Sequence, residues 1–119
     1  MVSISDERWV AEPHGGAAVQ ESVVYGRHTL VLTGELDIAQ AEEMAEVVRR
    51  VCGNGASSIT LDLSGLTFMG STGLRMVLLA RDLCREHGYE FRIVPGPTHV
   101  QRLFEISGLS NRLPFVSAA

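Results

Sequence analysis

The segment Ser58-Ile-Thr-Leu-Asp-Leu-Ser-Gly-Leu-Thr-Phe-Met-Gly-Ser-Thr-Gly-Leu-Arg75 restricts the possible folds of this chain more than any other. Ile59, Leu61 and Leu63 alternate with Ser58, Thr60 and Asp62, which predicts a strand with one buried face. Ser64-Gly65 breaks the alternation, and Leu66, Thr67, Phe68 and Met69 are expected to cross the end of a sheet. Gly70-Ser71-Thr72-Gly73 follows, and directly after it an apolar-periodic run reads as a helix. Two hydroxyls are thereby placed at a strand-to-helix turn, beside N–H groups that a helix cannot satisfy internally. The helix dipole favours negative charge at such a point. A phosphate on Ser71 or Thr72 would join a position already suited to an anion.

Two nucleotide- or ester-directed chemistries that use this kind of turn fit poorly. The glycines of Gly65-Leu-Thr-Phe-Met-Gly70 have the spacing of a phosphate-cradling loop, but Ser71 stands where a lysine must reach the nucleotide. A hydrolase nucleophile elbow needs glycine two residues before the serine, and Met69 is there instead. No histidine position points to a base for Ser71, so a small serine hydrolase is the most distant reading. That Ser71 does no more than cap a helix stays open, because serine and threonine are ordinary cap residues.

With 119 residues the chain has the length of one domain with a real core. Its 45% hydrophobic and 20% charged residues are those of an ordinary soluble globule. The net charge of −4 argues against a nucleic-acid surface, and all ten basic residues are arginines with no cluster among them. No stretch approaches a membrane span and no secretory signal opens the chain, so no membrane association and a cytoplasmic location are expected. Cys52 and Cys84 fall on helical apolar patterns and are expected as buried, reduced thiols. His14, His28, His87 and His99 lack metal-ligand spacing, and neither a metal nor a cofactor is expected.

Residues 1–16, with Trp9, Pro13, Gly15 and Gly16, are expected as a flexible tail, although Arg8-Trp-Val-Ala-Glu could also pair with a sheet edge. Val19–Tyr25 and His28–Thr33 flank Gly26-Arg27 and predict a hairpin with a type II′ turn, burying Leu30 and Leu32 on one side. Asp37 with Gln40 forms a capping pair for a helix whose apolar face is Ala41, Met44, Ala45, Val48, Val51 and Cys52. Gly53-Asn54-Gly55 is expected to stop it. A second helix from Thr72 to about His87 is apolar over most of its circumference and ends at Gly88. Phe91, Ile93 and Val94 make a short strand. Pro97 is expected in the first turn of a last helix, with Gly108 as its left-handed stop and Leu109 folded back. Pro114-Phe-Val adds an edge strand. The order predicts a small α/β sandwich with a mixed, mostly parallel sheet and helices mainly on one face.

Thr33-Gly-Glu-Leu-Asp37, Leu61-Asp-Leu-Ser64, Phe68-Met-Gly-Ser-Thr-Gly-Leu74 and Val100-Gln-Arg-Leu-Phe-Glu-Ile-Ser-Gly-Leu109 resemble, in this order, the signatures of STAS domains. Among these, the chain is most similar to bacterial anti-sigma factor antagonists, over roughly residues 17–117. The resemblance implies a single STAS domain over 17–119 that is not an enzyme. It implies binding to an anti-sigma factor of the histidine-kinase-like ATPase type, which frees a sigma factor. It also implies that the kinase phosphorylates Ser71, with Thr72 as second choice, that this ends binding, and that a serine phosphatase reverses it. The implied partner surface comprises Asp37, Gly70, Ser71, Thr72, Gly73 and Arg75. A STAS module that senses a ligand or nucleotide, or scaffolds a complex, without phosphorylation is the alternative. Relatives commonly carry aspartate immediately before the serine. Gly70 stands there in this chain and is expected to loosen the backbone.

Overall fold

The computed structural model describes residues 6–11 and 18–116. Five strands form one sheet in the order β1 (Asp6–Ala11), β2 (Ala18–Val24), β3 (Arg27–Leu36), β4 (Ser58–Met69) and β5 (Glu90–Val94). The β1–β2 and β2–β3 pairs are antiparallel, while β3–β4 and β4–β5 are parallel. The parallel crossovers are made by α1 (Ile38–Gly53) and α2 (Ser71–His87), and α3 (Thr98–Ile106) follows β5. Leu30, Leu32, Ile59, Leu61, Leu63 and Ile93 are buried on one sheet face, whereas their neighbours Thr29, Val31, Thr60 and Asp62 stay half-exposed. The helices cover the first of these faces. The wide apolar girth of α2 is explained by its position, since it touches β4, β5, α1 and α3.

Several boundaries differ from the sequence-based expectations. Over Asp6–Ala11 the expected tail is replaced by β1, whose residues pair with β2 from Asp6↔Val23 to Ala11↔Val19. The rest of that tail lies outside the described residues. The hairpin turn is Tyr25-Gly26, not Gly26-Arg27, because Val24 pairs with Arg27. Both turn residues have positive φ, 51° and 79°, which is the pattern of a type I′ turn and matches the twist of the strands. Ser64-Gly65 does not end the central strand either. β4 runs on to Met69 through two irregularities, at which it carries one more residue than β3 each time. Its buried positions accordingly change from every second residue to Leu63, Leu66 and Met69. At the first bulge a Cβ on Gly65 would lie 2.8 Å from Thr33 Cγ2 and 3.1 Å from the Leu32 carbonyl oxygen, so a side chain has no room there.

The helix ends follow the glycines. Gly88 (φ 75°) and Gly108 (φ 74°) close α2 and α3 with the paired bonds of Schellman motifs. Tyr89 N–H donates to the Cys84 carbonyl at 2.8 Å, and Leu109 N–H to that of Phe104 at 2.8 Å. Pro97 is the N-cap of α3 and lies just outside its first turn. The Pro114-Phe115-Val116 segment contributes one parallel bridge, Ile93↔Phe115.

Cys52 and Cys84 are free and buried, and their thiols meet by a hydrogen bond between α1 and α2. Burial pushes the Cys84 thiol up to about 12, and the adjacent Cys52 sulfur adds to the shift. Burial also raises Cys52, partly offset by the hydrogen bond with Cys84. Folded values above the ordinary 9.0 mean that the neutral thiols favour the fold below that pH. This contribution is lost as pH rises through the folded values. We expect the melting temperature to fall between pH 9 and 12, and to fall less steeply in Cys84→Ala, as thermal melts across that window would show.

Candidate functional site

The carboxyl ends of β3 and β4 meet at Leu36↔Met69, and α1 and α2 both begin there. Two N-termini therefore emerge side by side. Asp37 is the N-cap of α1 and takes part in a capping box with Gln40, whose Oε1 accepts from the Asp37 N–H at 3.3 Å. The Asp37 carbonyl accepts from Ala41 N–H at 2.7 Å. Across from it, Gly70 is the N-cap of α2, and Ser71 is the first residue inside the helix. Ser71 is thus not the cap. Its hydroxyl is free of that structural duty, and its side chain is exposed.

Gly70 is held on both sides. Its N–H donates to the Leu36 carbonyl at 3.0 Å, and its own carbonyl accepts from Leu74 N–H at 3.1 Å. The loosening expected of glycine is therefore not what the structure has. Gly73 is buried under the first turn of α2, against Met69 and Leu36, and it allows the helix to sit close to the strand ends. Thr72 is half-buried and Arg75 is exposed. These two line an open groove of about 250 Å³ between the helices, together with Ala41, Ala45, Met76 and Leu79.

Two contributors escaped the sequence reading. Ile38 and Phe68 are 66% and 44% exposed; the first directly follows Asp37, and the second lies two residues before Gly70. The Phe68 ring lies close to Gly70, with its Cε2 atom 3.6 Å from where a Cβ would stand. An apolar residue directly after an N-cap was the available signal for Ile38. Phe68 offered none, because its outward direction is set by the second bulge of β4. This end of the sheet thus carries the exposed Ser71 hydroxyl and the exposed apolar residues Ile38 and Phe68, and the acidic residues of the β3 end and the first turn of α1, Glu35, Asp37 and Glu42, are exposed as well. Arg75 is its cation and has no ion-pair partner among the described residues. No three His, Cys, Asp or Glu side chains gather to hold a metal ion among those residues.

The model of the family described as "Mlab, STAS domain" matches residues 22–116. The chain belongs to the STAS-domain family. This STAS domain is 29% identical over 93 residues to osmosensory protein A of Mycobacterium tuberculosis, a match covering 78% of this chain and 58% of that protein's length. It is 31% identical over 78 residues to the anti-sigma-B factor antagonist of Staphylococcus aureus, covering 66% of this chain and 72% of that one. Its fold is similar to the crystal structure of an anti-sigma factor antagonist from Mycobacterium paratuberculosis. That match has a TM-score of 0.77 at 20% identity and covers 88% of this STAS domain and 89% of the other chain. The mixed sheet with helices on one face is therefore the fold shared with these antagonists. Among the described residues no helix is long and apolar enough to cross a membrane.

Proposed function

We propose that residues 17–119 form a cytoplasmic anti-sigma factor antagonist whose contact surface is the sheet end where α1 and α2 begin, and that phosphorylation of Ser71 switches it off. The observation that carries this reading is Ser71 itself: an exposed hydroxyl in the first turn of α2, relieved of capping by Gly70 and set among Asp37, Ile38, Phe68 and Arg75. Exposed apolar residues beside a groove suit a protein partner. The open form of the groove suits a partner side chain better than an enclosed small molecule. The kinship with anti-sigma factor antagonists supports an anti-sigma factor as that partner.

In this mechanism the partner is a histidine-kinase-like ATPase that binds the unmodified surface and releases its sigma factor. It transfers the γ-phosphoryl group of ATP to Ser71 Oγ: the new O–P bond forms, ADP leaves, and the hydroxyl proton is lost. The fold tolerates the product because N-terminal N–H groups of α2 and its dipole favour an anion there. The interface does not, because nearly two negative charges would have to lose their water in the contact with no new cation to pair them. A serine phosphatase resets the switch by hydrolysis.

The test is incubation of the purified protein with ATP and each histidine-kinase-like anti-sigma factor of its organism, followed by intact mass and phosphopeptide mapping. One phosphoryl group on the Ser71 peptide is expected, and none in Ser71→Ala. Label that persists in Ser71→Ala and maps outside Ser71 and Thr72 overturns the site. No label with any kinase, together with tight binding, favours a scaffold without a phosphorylation cycle.

A further inference from the structure

Strand β4 outruns its neighbour β5. Their pairing ends at Asp62↔Val94, yet β4 continues to Met69. Along this last stretch α3 stands where a strand would otherwise be. His99, in the first turn of α3, has its Nε2 atom 2.6 Å from the Thr67 carbonyl oxygen. A carbonyl only accepts, so Nε2 carries the proton and donates. The imidazole is exposed, but its backbone is fixed: Val100 follows directly and is buried, as is Phe104 one turn later.

Thr67 is the residue by which β4 exceeds β3 at its second irregularity, since Gly34 pairs with Leu66 and Glu35 with Phe68. The extra residue of a bulge is left out of the ladder, so strand pairing does not orient it. The Thr67 carbonyl and the Phe68 N–H belong to one planar peptide unit. Holding that carbonyl therefore holds the plane from which Phe68 departs. Phe68 is exposed, and its ring lies beside Gly70, the residue before Ser71.

We propose that His99 is a positioning residue: by pinning the bulged peptide at Thr67, it keeps the Phe68 ring turned outward as an apolar anchor for the anti-sigma factor. The anchor role rests on the function proposed above. The pinning does not. An aromatic ring already held in its bound direction loses little freedom on association. Without the bond, that ordering has to be supplied when the partner binds, and affinity falls.

The experiment uses His99→Leu, His99→Gln, Phe68→Ala and the double variant His99→Leu/Phe68→Ala. Glutamine carries an amide N–H at about the reach of Nε2 and keeps the bond, whereas leucine keeps bulk and loses it. Amide hydrogen exchange comes first and needs no partner. In His99→Leu the Gly70 amide, bonded to the Leu36 carbonyl, is expected to exchange about fivefold faster, with Ile59 and Leu61 unchanged. His99→Gln should exchange as the wild type does. Wild-type exchange at Gly70 in His99→Leu overturns the pinning.

The second measurement is affinity for the anti-sigma factor by titration calorimetry. Phe68→Ala is expected to weaken binding about thirtyfold. His99→Leu should weaken it about fivefold, and His99→Gln by no more than about twofold. Once Phe68 is alanine, His99→Leu should cost nothing further, because it acts through that ring. A full loss in the double variant, or wild-type affinity in His99→Leu, overturns the positioning role. A chain that binds no anti-sigma factor counts against the functional reading and the anchor with it, and the exchange measurement still decides the pinning.

Discussion

Replacing Ser71 with glutamate is expected to weaken binding to the anti-sigma factor about a hundredfold, with the melting temperature held or slightly raised. The two effects have opposite signs for one physical reason each. Within the chain, a carboxylate in the first turn of α2 meets the positive end of the helix and is stabilised, by about 0.3–1 kcal/mol at an exposed position. On binding, the same charge is stripped of its water in the contact, and the chain's own neighbouring helix start offers the carboxylate of Asp37 and no cation to compensate it. Taking an unpaired charge out of water in a contact costs several kcal/mol, and a factor of one hundred corresponds to about 2.7 kcal/mol. Ser71→Gln has a similar size without the charge and should lose less than tenfold. Titration calorimetry with the wild type and both variants separates these contributions. Equal losses for glutamine and glutamate would mean that bulk, not charge, excludes the partner, and the phosphate switch would lose its physical basis.

Gly73→Val is expected to destabilise the fold by about 3 kcal/mol, lowering the melting temperature by about 12 °C. Gly73 lies inside α2, where alanine would ordinarily be preferred over glycine by up to about 1 kcal/mol. Packing reverses that preference. A Cβ would stand 2.6 Å from Met69 Cγ, 2.9 Å from the Leu36 carbonyl oxygen and 3.2 Å from Leu36 Cγ. The Leu36 carbonyl cannot retreat freely, since it accepts the Gly70 N–H that anchors the start of α2. Valine adds two methyls to the same gap and must lift the helix, which would also disturb Ser71 and the groove. Gly53→Ala is the matching control, because nothing lies within 4 Å of its would-be Cβ. Unchanged melting in Gly73→Val would show that α2 does not rest on the strand ends as described.

Much of this architecture was readable in advance because it is encoded locally. The alternation of Ile59, Leu61 and Leu63, the spaced apolar residues of α1 and the glycines Gly88 and Gly108 each report a conformation that neighbouring residues enforce. The same holds for Asp37 with Gln40, a capping pair three residues apart. The resemblance at four motifs then joined these elements into one family, which the match over residues 22–116 bears out.

The remaining features depended on partners distant in sequence. Alternation stops at Ser64-Gly65, yet β4 continues because β3 runs parallel to it as far as Leu36 and accommodates each extra residue as a bulge. Strand β1 exists through pairing with β2, whereas its own residues favoured a tail and allowed a strand only as a second choice. Ser71 looked like a cap because serine often is one. Gly70 takes that place because its N–H is bound by the Leu36 carbonyl, so the helix begins one residue earlier than its hydroxyls suggest. By itself, the sequence determined which residues alternate, which helices form and where glycine stops them, since those choices are settled within a few residues of chain. Tertiary structure alone decided that two helix starts share one end of the sheet and that Asp37 fills the space Gly70 leaves empty. Such proximities arise only when parallel strands set the registers of distant segments against each other.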